Sequence, residues 1–224
     1  MSFSKNLYYS FSYLLAKKHI RIIRSLEYLK RTPKIRLDRL DYIRISSLEL
    51  AAFEIYDNEV KGNVAELVVY KGDFAKEINA AFPDRTLYLF DTFEGFDNRD
   101  VSSEVKHGYS TGKQDFSDTS VDMVLPKMPY KEKCKVCKGF FPDSAKDIED
   151  KFCFVSIDTD LFEPILAGLN YFYPRLAYGG YIFVHDFNNE EYKGSRKAVL
   201  EFCRERNIAY FPIADIGGSA IICK

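Results

Sequence analysis

The chain has 224 residues, 46% of them apolar and 29% charged, with a net charge of −1. That composition suits a folded globular domain large enough for a substantial core, and excludes a disordered chain. No apolar run approaches the roughly 20 residues of a membrane span, and the N-terminal run YYSFSYLLA precedes its basic cluster, the reverse of a secretory signal. The charge is unevenly placed: residues 1–40 hold ten Lys or Arg against Glu27 and Asp38, a net of +8, which leaves −9 on the remainder. Such an arm can meet an acidic body, anionic lipid or nucleic acid. Residues 7–31 have helical spacing, and so do residues 40–60, which end before the turn residues Lys61 to Asn63.

Beyond residue 60 short apolar runs alternate with amphipathic segments, the pattern of βαβ units on a parallel sheet. The expected strands are VAELVVY, TLYLFD, CKVCKG, FCFVSID, GYIFVHD, IAYFPIA and SAIICK. The expected helices are FAKEINAAF, TSVDMVLPKM, SAKDIEDK, EPILAGLNYFYPRL and EEYKGSRKAVLEFCRER, with Pro174 marking a helix's last turn. Only DIGG joins the last two strands, so they form an antiparallel hairpin. The expectation is an α/β fold, a mostly parallel Rossmann-like sheet with a C-terminal antiparallel hairpin and helices on both faces. Residues 97–118 are polar with little periodicity, and read equally as a plain loop or an active-site lid. Five cysteines form no disulfide framework. CKVC is half a zinc site without its second half, so free thiols in a reducing cytoplasm are expected.

Three of the strands end in an acid: Asp91, Asp158 and Asp186. Parallel strands point the same way, so these acids share the rim where open α/β sheets bind ligands. Any one of them could instead be a helix cap. Asp91 lies about 20 residues beyond the first strand, where a carboxylate pairs with a nucleotide's ribose. The first loop lacks GxGxxG, which disfavours a nicotinamide cofactor. Glu66, Gly72 and the terminal hairpin suit S-adenosylmethionine better. Asp158 and Asp160 are two residues apart, near Asp186, and carboxylates this close repel unless a cation or proton joins them. Oxygen ligands without a thiolate favour Mg²⁺, with Mn²⁺ or Ca²⁺ as alternatives. His185 could add a nitrogen ligand, although a lone histidine is more often part of the core or rim. A metal here could make a substrate hydroxyl more acidic, and Asp160, left off the metal, could take its proton.

The stretches ELVVYKGDFA, FDTFEGF, KGFFPDSA, SIDTDLFEPILAGLNYFYPRLAYGGYIFVHDF and KGSRKAV together resemble the macrocin O-methyltransferase (TylF-like) family over roughly Asp41 to Lys224. The resemblance implies a methyltransferase domain over 41–224, preceded by a basic helical arm over 1–40. It implies a class I S-adenosylmethionine-dependent, Mg²⁺-dependent enzyme that methylates sugar hydroxyls. By position, Asp158, His185 and Asp186 fall on the family's metal-binding acids and Asp160 on its general base. Glu66, Gly72 and Asp91 fall on the cofactor loop and ribose acid, and Gly139 and Phe140 on the loop near the adenine. Two positions depart from the pattern: His-Asp stands where Asp-Asp is familiar, and Val68 where a glycine is usual. The implied partner is a sugar or glycan, without nucleic acid, and the arm offers a surface for a homo-oligomer. Two other readings stand beside this one. The first is a degenerate scaffold or glycan-binding protein whose cofactor loop Val68 has closed. The second is RNA binding through the arm, which the acidic body opposes.

Overall fold

A computed structural model describes residues 10–15, 17–18 and 41–224. Met1–Pro33 and Lys34–Lys224 are separate compact units. In the first, residues 10–15 are helical; most of the helix expected over 7–31 lies outside the described residues.

In the second unit the elements run α1 (Tyr42–Asp57), β1 (Asn63–Leu67), α2 (Asp73–Ala81), β2 (Leu87–Asp91), α3 (Asn98–Lys106), α4 (Val121–Val124), β3 (Cys134–Lys138), β4 (Phe152–Ile157), α5 (Phe162–Arg175), β5 (Leu176–Val184), α6 (Lys193–Arg206), β6 (Phe211–Ile213) and β7 (Ser219–Cys223). The seven strands form one sheet in the order β3-β2-β1-β4-β5-β7-β6. The first five are parallel, and β7 runs antiparallel to both β5 and β6. The order reverses between β1 and β4, so the crevice outside their carboxyl ends is the expected ligand site.

Alternation along the strands builds two cores. Ala65, Leu67, Tyr88, Phe90, Val155 and Ile157 face α5 and α6. Val64, Leu87, Leu89 and Phe154 face α1 and α2. Each buried apolar side chain of this size contributes roughly 1.5–3 kcal/mol. Cys134 and Cys137 pack against opposite cores, because positions three apart on a strand point to opposite faces. They cannot form one metal site, and all five cysteines are free.

Several expected elements differ; the helix expected over TSVDMVLPKM is only the four-residue α4 followed by a 3₁₀ turn at Leu125–Lys127. The first strand stops at Leu67 rather than Tyr70, because Val68 turns to φ 64°. Residues 144–151 hold no α-helix, only a 3₁₀ turn at Asp143–Ala145. The carbonyls of Ala145 and Ile148 instead accept the Tyr171 hydroxyl at 3.2 and 2.9 Å. The polar stretch 97–118 contains α3, nine residues long and capped by Asp97, whose carboxylate accepts from the Arg99 amide. Glu104 pins that helix: it is 1% exposed and accepts the Phe162 amide at the start of α5 at 3.0 Å.

Candidate active site

Hydrogen bonds at the strand ends build the site's rim. The amide of Gly139 donates to Asp91 O, Val68 to Phe90 O, Asp158 to Leu67 O and His185 to Ile157 O, at 2.8–3.0 Å. Each chain segment thus leaves the sheet beside its neighbour's last carbonyl, and the loops after β3, β2, β1, β4 and β5 form one contiguous edge. Backbone strain collects there. Val68, Phe93, Asp160 and Asp186 have φ of 64°, 55°, 61° and 55°. These left-handed conformations cost non-glycine residues roughly 1–3 kcal/mol each and cluster at functional sites.

Two cavities open along this edge. The first is lined by Asp91, Gly139 and Phe140, together with Asp97 and Phe116 from the 97–118 stretch. The second holds Glu66, Asp158, Asp160, His185 and Asp186. Val68, Tyr70 and Phe116 line both, so Val68 stands at the neck between them. Every candidate residue except Gly72 therefore lines one of two adjoining cavities. Gly72 sits behind them, at φ 77°, as the N-cap of α2, where a Cβ would meet Val124 at 2.8 Å.

Asp91 is deeply buried and already engaged. Its Oδ2 accepts the amides of Val69 and Tyr70 at 2.7 and 2.8 Å, and its Oδ1 accepts that of Phe93 at 2.6 Å. The acid at the end of β2 thereby fastens the loop after β1. Across the neck, Glu66 is 2% exposed and its Oε2 has no hydrogen-bond partner. Burial pushes its carboxyl well above the usual range, with Arg44 partly opposing.

The acids after β4 and β5 form a compact charged chain. His185 Nδ1 lies 3.0 Å from Asp158 Oδ1 and 2.9 Å from Asp186 Oδ2. Arg44, from the first turn of α1, places Nη1 3.0 Å from Asp158 Oδ2. Asn189 donates to Asp186 Oδ1 at 2.8 Å. Burial alone would lower the His185 pKa, but the Asp158 charge and the hydrogen bonds His185 donates to both acids outweigh it and push it up to about 10. Burial likewise opposes ionisation of Asp158, yet Arg44 and His185 hold it well below the carboxylate range. Asp160 goes the other way: burial, its hydrogen bond to Asp186 and the two neighbouring carboxylates raise it. Without further cations the cluster therefore carries its charge balance on Arg44 and on protons. One ligand atom each from Asp158, His185 and Asp186 lie within 4.8 Å of one another, close enough to share one ion.

Sequence reasoning missed several parts. Arg44 carried no signal, being one cation in an amphipathic helix. Tyr192, whose hydroxyl is held neutral by burial and by Asp160 and Asp186, lines the acid cavity. The β6–β7 turn was read only as a hairpin. It also packs on Asp186: Gly218 O and Gly217 O accept the Phe187 and Asn188 amides at 2.7 and 2.9 Å, and a Cβ at Gly217 would collide with Asp186.

A central crevice in a 3-2-1-4-5-7-6 sheet, with acids at three strand ends, defines a Rossmann-like methyltransferase. The profile of the macrocin O-methyltransferase (TylF) family matches residues 29–224, and the chain belongs to that family. It is an O-methyltransferase, and S-adenosylmethionine is the methyl donor that goes with this family and fold. The solved structure of the O-methyltransferase NovP is similar, with TM-score 0.68 and 19% identity over 81% of this chain and 79% of that one. The calicheamicin methyltransferase CalS11 is similar too, with TM-score 0.65 and 18% identity over 80% and 78%. Among curated proteins none matches the chain.

Proposed function

We propose that the protein methylates a sugar hydroxyl, with S-adenosylmethionine across the two cavities and a divalent ion on Asp158, His185 and Asp186. One observation carries the reading. The acid cluster shares its cavity with Glu66, and that cavity adjoins the Asp91 cavity through the Val68 neck.

The residues fit both groups. An adenosyl moiety suits the aromatic and acidic first cavity, with Asp91, Gly139 and Phe140 around it. The methionyl moiety then passes Val68 toward Glu66, whose unpartnered buried oxygen is what an ammonium group would satisfy. The three converging donors suit a divalent cation once His185 gives up its proton. Two carboxylates and an imidazole favour Mn²⁺ over Mg²⁺ more than three carboxylates would. Such an ion supplies positive charge that acidifies a nearby hydroxyl and favours the ionised form of Asp160. Asp160 then accepts the hydroxyl proton, and the rim aligns that oxygen with the donor methyl, an alignment that supplies much of the rate. Another structure of CalS11 is described as a TDP-rhamnose 3'-O-methyltransferase, which supports a sugar acceptor here.

The test is calorimetric titration with S-adenosylmethionine and S-adenosylhomocysteine, with and without Mg²⁺ or Mn²⁺. Micromolar binding supports the reading and directs the search to sugar acceptors. No binding by the wild type, restored in Val68→Gly, points to the degenerate alternative. No binding by either overturns the cofactor assignment.

A further inference from the structure

Arg44 is the least expected member of the site. It is 8% exposed, yet its side chain lines the cavity that holds Glu66 and the acid cluster. Its guanidinium lies over the Phe74 ring at 3.8 Å from the centroid, which fixes its plane. Nη1 pairs with Asp158 at 3.0 Å, and Nη2 reaches Ser156 Oγ only at 3.3 Å. Its Nε has no hydrogen-bond partner. The guanidinium is therefore buried with its five-donor fork incompletely used, which is costly unless a further acceptor arrives.

The cavity's chemistry indicates what that acceptor is. Glu66, with a buried oxygen unpartnered, stands on the same wall and suits an ammonium. An acid for the ammonium and a planar cation for the carboxylate are what an α-amino-acid zwitterion requires. Lys71 also lines the cavity, but its ammonium is 2.5 Å from Asp118 and committed there.

We infer that Arg44 receives the carboxylate of the cofactor's methionyl group, and that its pairing with Asp158 couples cofactor binding to divalent-ion binding. This rests on the cofactor reading above. Before cofactor binds, the guanidinium neutralises Asp158 and opposes a cation there. A carboxylate on Arg44 shares that charge and leaves Asp158 to the ion. By linkage, each ligand then tightens the other by the same factor, about tenfold for a coupling of ordinary size.

The experiment is a binding series on the full chain. The ligands are S-adenosylhomocysteine, decarboxylated S-adenosylhomocysteine and Mn²⁺, read by calorimetry and by Mn²⁺ electron paramagnetic resonance. In the wild type, S-adenosylhomocysteine should tighten Mn²⁺ about tenfold and the decarboxylated analogue should not. Arg44→Met should bind Mn²⁺ more tightly alone. It should also lose about tenfold in S-adenosylhomocysteine affinity and no longer distinguish it from the decarboxylated analogue. Arg44→Lys, which keeps the charge without the fork, should fall between and guards against a misfolded Met variant. An undiminished preference for the carboxylate-bearing ligand in both variants overturns the inference and leaves the cofactor reading standing. A wild type that binds no S-adenosylhomocysteine overturns both. If the wild type binds no Mn²⁺, the coupling fails, and the ligand preference alone decides whether Arg44 holds the carboxylate.

Discussion

At Val68 a single residue combines strain, position and sequence departure. A β-branched side chain at φ 64° is disfavoured, and this one stands at the neck between the two cavities. Glycine adopts that conformation freely and removes the isopropyl group from the neck. Relief of the backbone strain should raise stability, and loss of the isopropyl group should let Val68→Gly bind S-adenosylhomocysteine about 10- to 100-fold more tightly, roughly 1–3 kcal/mol. Unchanged or weaker binding by calorimetry would show that the loop has already adapted to valine. Asp160 makes a different demand. Burial and the hydrogen bond to Asp186 raise its pKa, and it is not one of the three converging donors. Asp160→Asn should keep cofactor and Mn²⁺ affinity while kcat falls on the order of 10²- to 10⁴-fold. Retention of full turnover would remove Asp160 from the role of base. His185 belongs to the proposed metal site. His185→Asp should shift the metal preference from Mn²⁺ toward Mg²⁺, measured as the ratio of the two dissociation constants.

Among the elements, the β6–β7 turn and α3 hold the site without entering its chemistry. Gly217 has φ 80°, and any Cβ there meets Asp186. Gly217→Ala should cost about 1–2 kcal/mol for the left-handed backbone. By displacing Asp186 it should also weaken Mn²⁺ binding, with the far-ultraviolet circular dichroism unchanged. Normal Mn²⁺ affinity in this variant would show that the turn does not position Asp186. Removing Glu104's carboxylate leaves the half-buried Phe162 amide without its partner, so Glu104→Ala should destabilise the fold by about 1 kcal/mol. These two supports also show what could be read beforehand. Asp91, Asp158 and Asp186 were legible because buried strands ending in acids are a pattern of adjacent residues. The partners that shape them come from far along the chain: Arg44 is 114 residues from Asp158, and Gly217 makes a contact that no local spacing encodes. The helix α3 escaped because its exposed face is polar and only Glu104 is buried; its sole early signal was the Asp97 cap.

Across the whole molecule, the site straddles the reversal of strand order. Asp91, Gly139 and Phe140 belong to the β2 and β3 side, whereas Asp158, His185 and Asp186 follow β4 and β5. A cofactor lying across both cavities would touch loops from both halves of the sheet and from the 97–118 stretch. Those contacts exist only when the halves are assembled, so the unfolded chain gains nothing from the ligand. Ligand at 100 times its dissociation constant then adds about 2.7 kcal/mol to stability. For a unit of this size each kcal/mol raises Tm by roughly 2–4 °C, so S-adenosylhomocysteine should raise it by about 5–10 °C. Adenosine, confined on this reading to the Asp91 cavity, should give the same shift at the same ratio of free ligand to dissociation constant and a similar binding enthalpy, so the shift does not tell the two ligands apart. The sharper comparison is thus the order of events. Proteolysis of the loop after β1 and of the loop after β5 should be suppressed together by S-adenosylhomocysteine, whereas adenosine should protect the first alone. Protection of both by adenosine would mean that the two cavities are already coupled through the rim hydrogen bonds, and that the neck at Val68 does not divide the site.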